Sequence, residues 1–501
     1  MSVIGDLYMA WRAQLGARAE AARALRAQAA ESFGYDAARR DVGDRWAPVT
    51  AGPNAIATRD GLLTRAASRD AARNNPLARR IIDILPSYVV STGFRPRLRE
   101  DEIGEARAAR QMAAWRRFVA YADPEGVWNF HASARLAFST TVQSGYALLR
   151  WYPGGSVDAP LHCRVLEPDF LDASKTSFDL ADGGYTLNGI EFDGEGRRRA
   201  YWLYDRHPGE TGLALSRPES ARVPADEVDM LWLPRRPGEI VPVTWLSAAM
   251  ETLRDRRDYL TSERVRAKMQ ACIALIANGV RPGALDSLSK SGAGGASAVG
   301  GGASEPLRDA QGRVVESMRP GMIGYLQGGE ITAFEPRGVV GTKDFVWVAD
   351  HDIGTSVGMP HFMLTGNYSG VNFSSAQLGL LQFLTMLDVW QDAVEQLVYA
   401  RAWRRCMEAE ARLGRAPRVP DAPVWAWPRK HIADIVKQME AILGPIDAGL
   451  DSAIAAIEAR GDDPAEVIAQ RRRWREMERR AGLAGAADEP GQPEGGNDGA
   501  Q

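Results

Sequence analysis

Few residue groupings in this sequence have the types and spacing that catalysis or metal binding requires. The six histidines, His131, His162, His207, His351, His361 and His431, never stand as HxxxH or HExxH, the spacings that put two imidazoles on one helix face around zinc. The three cysteines, Cys163, Cys272 and Cys406, form no CxxC, which argues against a zinc site or a disulfide framework and for a reducing compartment. The glycine-rich stretch from Gly292 to Gly302 lacks the Gly-Lys-Ser/Thr ending that would hold phosphates and magnesium, so it reads as a flexible loop. No Gly-x-Ser-x-Gly elbow is present. His351 lies between Asp350 and Asp352, but consecutive helical positions diverge, which predicts a solvated helix face. Glu167 and Asp169, in a β-rich stretch, are the carboxylates around which an enzyme cleft could form, and a soluble cytoplasmic enzyme is the alternative reading. Neither a cofactor nor a metal is expected.

Charge narrows the classes further. Across 501 residues, 61 Lys+Arg face 64 Asp+Glu, for a net charge of -3, which argues against wrapping DNA by bulk positive charge. The arginine pairs Arg79-Arg80, Arg235-Arg236 and Arg404-Arg405 could grip phosphate, but most such pairs are solvated surface. Trp425 and Trp427 flank a break and read as packing anchors. No apolar run of membrane-spanning length and no leader-like N-terminus is expected.

The elements that must position these residues alternate in period. The Ala- and Arg-rich segment from Tyr8 to Glu31 predicts an exposed amphipathic helix. Helical patterns follow from Gly61 to Asn75, from Leu77 until Pro86 stops it, from Met112 to Tyr121 and from Ala132 to Ser144. Tyr88 to Val90 reads as extended. From about Gly145 to Pro234, short β-type runs are bounded by Gly, Pro and Asp, predicting a β-rich layer on those helices. Trp245 to Asn278 has no Gly or Pro and predicts one long helix, densely charged from Glu251 to Lys268. Lys343 to Gly358 predicts a short helix, Pro360 to Phe373 an irregular loop, and Ser374 to Leu413 a long helix interrupted only by Gly379 and capped by Ser374. Helices are expected at Arg429 to Leu443, Asp451 to Arg460 and Pro464 to Arg480, then a polar disordered tail from Ala484.

Three stretches carry a resemblance. Arg69 to Gly93, containing Arg73-Asn74-Asn75-Pro76-Leu77-Ala78-Arg79-Arg80 and Val89-Val90-Ser91-Thr92-Gly93, is the first. Val165-Leu166-Glu167-Pro168-Asp169, followed by Gly189 to Asp193, Ala200 to Tyr204 and Pro234 to Gly238, is the second. The third is Gly358-Met359-Pro360-His361, Leu364-Thr365-Gly366-Asn367-Tyr368-Ser369 and Val371-Asn372-Phe373-Ser374-Ser375. In order and spacing they resemble the lambda-type bacteriophage portal proteins, over roughly Gly61 to Asp463. The chain departs from the family pattern at Asn367, commonly Asp, at Phe373, commonly Tyr, and at Gln377, frequently Arg.

The resemblance implies an α+β portal-protein fold with a helical stem, β-containing wing and clip, and a helical C-terminal crown. The corresponding segments are an N-terminal arm (1–60), wing (61–244), stem helix (245–279), clip with the glycine-rich loop (280–342), second stem helix (343–358), tunnel loop (359–373), long wing helix (374–424), crown helices (425–483) and disordered tail (484–501). It also implies a homo-oligomeric ring, typically of twelve subunits, at one capsid vertex of the virion, assembled in the host cytoplasm. DNA would be packaged and ejected through it, with a separate large terminase, head-completion or adaptor proteins and the major capsid protein as partners, and without catalysis by the chain itself. Asn367, Tyr368, Ser369 and Asn372 are expected at the channel, touching double-stranded DNA weakly and without sequence preference. Arg257 and Arg264 are expected between neighbouring stem helices.

Overall fold

The computed structural model describes residues 50–178, 180, 182–210, 218–272, 276–278, 324–326, 341–428, 435–459, 462 and 464–481. Contacts divide the chain into two units, Met1–Ile56 and Ala57–Gln501, and the architecture below, residues 53–56 apart, belongs to the second. The Tyr8 to Glu31 helix, the Gly292 to Gly302 loop and the tail from Ala484 lie outside the described residues.

Helix α1, Pro53–Asn74, runs through Gly61, so the expected boundary at residue 60 falls inside a helix. The Asn74-Asn75-Pro76 break works as read. Asn75 caps helix α2, Pro76–Val89, its Oδ1 accepting from the backbone N–H of Leu77 at 3.0 Å and Ala78 at 3.4 Å. Pro76 stands in the first turn, where its missing N–H costs nothing. Contrary to expectation, Pro86 does not stop the helix, and Tyr88 to Val90 is not extended. Leu85, Pro86 and Val89 are all buried, and packing of that face outweighs the one hydrogen bond that proline removes.

The chain continues through strand β1, Arg95–Arg97, helix α3, Glu105–Tyr121, and helix α4, Phe130–Ser144, capped by Asn129. The β-rich layer then forms two antiparallel sheets. Strands β2 (Tyr146–Pro153), β3 (Leu161–Leu166) and β8 (Val228–Trp232) make one, in the order β3-β2-β8. The other is the meander β4 (Tyr185–Leu187), β5 (Ile190–Phe192), β6 (Arg198–Tyr204) and β7 (Ser220–Pro224). The larger core lies between the three-stranded sheet and the helices. The smaller one joins the two sheets through Leu148, Leu166, Ile190, Tyr201 and Met230.

The expected helix from Trp245 to Asn278 is shorter. A 3-10 turn, Trp245–Ala249, leads into α5, Met250–Cys272, and Ile276–Asn278 is strand β9, paired in parallel with β10, Gly324–Leu326. Nothing local to Ile276-Ala277-Asn278 forbids a helix; the ladder to a distant partner strand decides against it. Helix α6 is Thr342–Ser356, and the expected loop after it contains a short helix, α7, His361–Thr365. Helix α8, Phe373–Val394, is capped by Asn372 rather than Ser374, and Gly379 does not interrupt it. A π turn, Glu395–Tyr399, joins it to α9, Ala400–Arg412.

Strand β11, Val424–Ala426, pairs antiparallel with β1, so the expected crown segment begins inside the main core. Trp425 packs on Trp115 with ring centroids 5.6 Å apart, and Trp427 donates its indole N–H to Glu395 at 2.5 Å, both acting as anchors. Helices α10 (Ile435–Asp447), α11 (Ala453–Ala459) and α12 (Pro464–Arg480) follow.

Candidate functional site

The three signature stretches, far apart in sequence, are tied together by arginines. In the first, Arg69 on α1 reaches Asp169 at 2.5 Å and Glu167 at 2.9 Å in the second, with Arg65 3.5 Å from Asp169. Farther along, Arg80 on α2 donates its Nε to the carbonyl of Met363 at 2.9 Å, in the third stretch, beside Gly366. The first stretch also holds α5, since the Asn75 side-chain amide donates to the carbonyl of Leu253 at 3.4 Å. It closes on Gly93, whose φ of +100° belongs to the region that favours glycine. A Cβ there would lie 2.1 Å from the His131 ring. His131 Nδ1 in turn shares a hydrogen bond with the buried Tyr399 hydroxyl at 3.0 Å, and burial with the charges of Arg95 and Arg135 pushes its pKa down to about 4.

The carboxylates of the enzyme alternative are engaged in this linkage. Glu167, Asp169 and His207 come close enough to share a cation, His207 Nε2 lying 3.3 Å from Glu167. The cationic position beside both carboxylates is taken by the Arg69 guanidinium. Burial opposes ionisation of Asp169, but the Arg69 hydrogen bond and the charges of Arg65 and Arg69 outweigh it and hold the carboxyl below its ordinary range. A carboxylate so fixed is a poor proton shuttle and a good tether. Cys163 and Cys406 are free and buried, and burial pushes both thiols up, which makes them inert.

Arg80 supports the loop from behind. Past α7, Gly366 (φ +71°) and Gly370 (φ +81°) bend the backbone at either end of Asn367-Tyr368-Ser369. The Asn367 side chain folds the tip, accepting from the Ser369 backbone N–H at 3.0 Å and its hydroxyl at 2.5 Å. Asn372 accepts from the Ser375 N–H at 2.8 Å as the cap of α8. Of the four expected channel residues, all are exposed, but Asn367, Ser369 and Asn372 shape the loop, while Tyr368, 62% exposed, projects with its ring 5.8 Å from Phe362. The asparagines' structural work is legible in sequence as Asn at a turn and Asn immediately before a helix. Arg69 and Arg80 carry no such local signal, because their partners lie 100 and 283 residues away.

Beside this loop, α5 and α6 pair antiparallel. Tyr259 and Phe345 have ring centroids 4.4 Å apart, Tyr259 donates to Thr342 at 3.1 Å, and Arg256 pairs with the buried Asp350 at 2.5 Å. Asp350 is therefore not on a solvated face, which corrects the reading of the Asp350-His351-Asp352 cluster. His351 donates to the Trp347 carbonyl at 2.7 Å and stacks on His361 of α7, centroids 4.2 Å apart. Arg405 likewise leaves the solvated set, pairing with the buried Asp229 at 2.8 Å. Arg257 and Arg264 face outward on α5. Trp347 and Val348, more than half exposed, stand on the outer side of α6. Among the described residues, no helix is long and apolar enough to cross a membrane.

The family model for the phage portal protein of the lambda family matches residues 39–391. A probable portal protein of Halomonas phage phiHAP-1 is 24% identical over 364 residues, spanning 70% of this chain and 66%, just under two thirds, of the relative. Among solved structures, the neck of an empty gene transfer agent particle treated with C6 symmetry gives a TM-score of 0.43 at 12% identity, covering 85% of this chain and 98% of that one. The neck of the native particle, with C12 symmetry, gives 0.41 at 12% identity over 81% and 94% of the two chains. The family match spans most of the sequence and includes all three arginine-linked stretches: the chain belongs to the lambda family of phage portal proteins.

Proposed function

We propose that the chain is one subunit of a ring at a capsid vertex of the virion, the conduit through which double-stranded DNA is packaged and ejected. In this reading α5 and α6 form the stem, the two sheets and their helices the wing, and the helices after β11 the crown, with clip segments that dock a large terminase and later the head-completion proteins. The chain has no catalytic task in it, and the motor's energy comes from the terminase.

The observation that supports it most is the uncharged polar tip between Gly366 and Gly370, exposed and braced by Arg80. DNA must slide past a conduit wall, and each phosphate neutralised by the wall adds affinity and drag. Tyr368, Ser369 and their neighbours offer polar contacts that form and break without an ion pair. Replacing Tyr368 by lysine keeps the Asn367 turn and adds one positive charge per subunit. Normal rings with impaired DNA packaging are expected, and normal packaging would refute the placement of this loop in the channel.

A further inference from the structure

Charge in this chain is nearly balanced, yet it is not evenly spread. Helix α12 carries six arginines and no lysine against three glutamates within 17 residues. Arg479 and Arg480 lie in the last turn, where cations are favoured by the helix dipole in any protein, and both pair with Glu476, at 3.1 and 3.0 Å. That account does not reach Arg471, Arg472 and Arg475, which stand in the middle of the helix. All three are exposed, and no acidic partner engages them among the described residues. Arg471, Arg475 and Arg479 follow at i, i+4 and i+8, so they form one row with a rise of about 6 Å per step, and Arg472 flanks it.

We infer that this row is a binding surface for the phosphate backbone of double-stranded DNA, separate from the loop at Gly366 to Gly370; the identity of the anion rests on the conduit reading above. Charge complementarity selects the occupant. A straight row of guanidiniums meets a regular polyanion, and arginine binds phosphate through two parallel N–H groups where lysine offers a single point charge. Such contacts read no sequence, as a conduit for a whole genome requires. The two surfaces then divide the work: the loop lets the duplex slide, and the α12 row holds it by contacts that salt can loosen.

The test uses full-length assembled protein and a fluorescent 30-base-pair duplex, with affinity measured by anisotropy across a salt series and particle size measured by mass photometry. One variant carries Arg471→Gln, Arg472→Gln and Arg475→Gln. A control removes the same charge from arginines already paired with carboxylates, Arg99→Gln, Arg164→Gln and Arg197→Gln, whose partners Glu102, Glu125 and Asp193 lie 2.7 to 3.2 Å away. The α12 variant is expected to lose more than tenfold in affinity at low salt and to lower the slope of log affinity against log salt by about 3, one unit per lost phosphate contact. Particle size stays that of the wild type, and the control retains its slope. Equal losses in variant and control, or none in either, overturn the proposal. So does a change of particle size confined to the α12 variant, since the row then serves assembly or an acidic protein partner. If the wild type forms no ring yet the α12 variant alone loses DNA, the conduit reading fails and the phosphate surface stands.

Discussion

Two regions of this subunit are built on opposite terms. Around Tyr399, the rings of Phe94, Trp115, Phe130 and Trp425 meet at centroid distances between 4.5 and 6.5 Å, and Tyr399 and Phe130 are fully buried. That region satisfies itself within one chain. The α5–α6 pair is built differently: among the described side chains of α5, Leu253 is the buried apolar one, five arginines and two aspartates lie between residues 254 and 266, and Trp347 and Val348 of α6 stay exposed. A helix charged on nearly every side gains little from folding on its own surface. The contrast separates a wall that makes the subunit stable from a surface that neighbouring copies would finish in the proposed ring.

The largest expected effect breaks the first region. Phe130→Ala deletes a ring in contact with Trp115, Phe118, Trp151 and Tyr399, and should cost about 4 kcal/mol. A large fall in the urea midpoint, or loss of soluble protein, is the outcome to measure.

Acid should act on the same wall. Burial keeps His131 neutral in the folded chain down to about pH 4, whereas an unfolded histidine protonates near 6.5. The folded pKa is depressed, so stability is full above about pH 6.5, declines as pH falls toward 4 and levels off below it. The loss is about 3 kcal/mol at most. His131→Gln should flatten that part of the urea-midpoint profile, and an unaltered profile would remove His131 from the account.

Arg69→Met leaves Asp169 and Glu167 without their shared guanidinium. Because the pair keeps some solvent, the cost should be about 2 kcal/mol, smaller than that of a fully buried ion pair. Urea denaturation of the variant checks it. Smallest in its effect on the subunit is the double reversal Arg257→Glu with Arg264→Glu. Both side chains are exposed, so the urea midpoint should shift by no more than about 0.5 kcal/mol while ring assembly, followed by size-exclusion chromatography, weakens strongly. Intact rings would show that this face of α5 carries no intersubunit contact.

Much of this arrangement is legible in the residue order, and the limit is physical. Asn75 before Pro76, the alternating runs from Gly145 to Pro234 and the glycines at 366 and 370 act through their own neighbourhood, so their roles can be read locally. Pro86 was misleading, because the burial of Leu85 and Val89 overrides a local breaker. Ile276 to Asn278 is a strand on account of Gly324 to Leu326, a partner that no local pattern announces. Asn372 and Ser374 are both good caps, and the choice between them follows from where the backbone turns. The family signature was visible, but its reason was not: Arg69 and Arg80 bind the three stretches together across long separations in the chain.

The central claim is that one stable subunit carries surfaces that only a ring of copies completes. Negative-stain imaging of the purified wild-type protein tests it most directly. The account predicts closed rings with a central hole wide enough for a DNA duplex, and a uniform population of single subunits at micromolar concentration would contradict it.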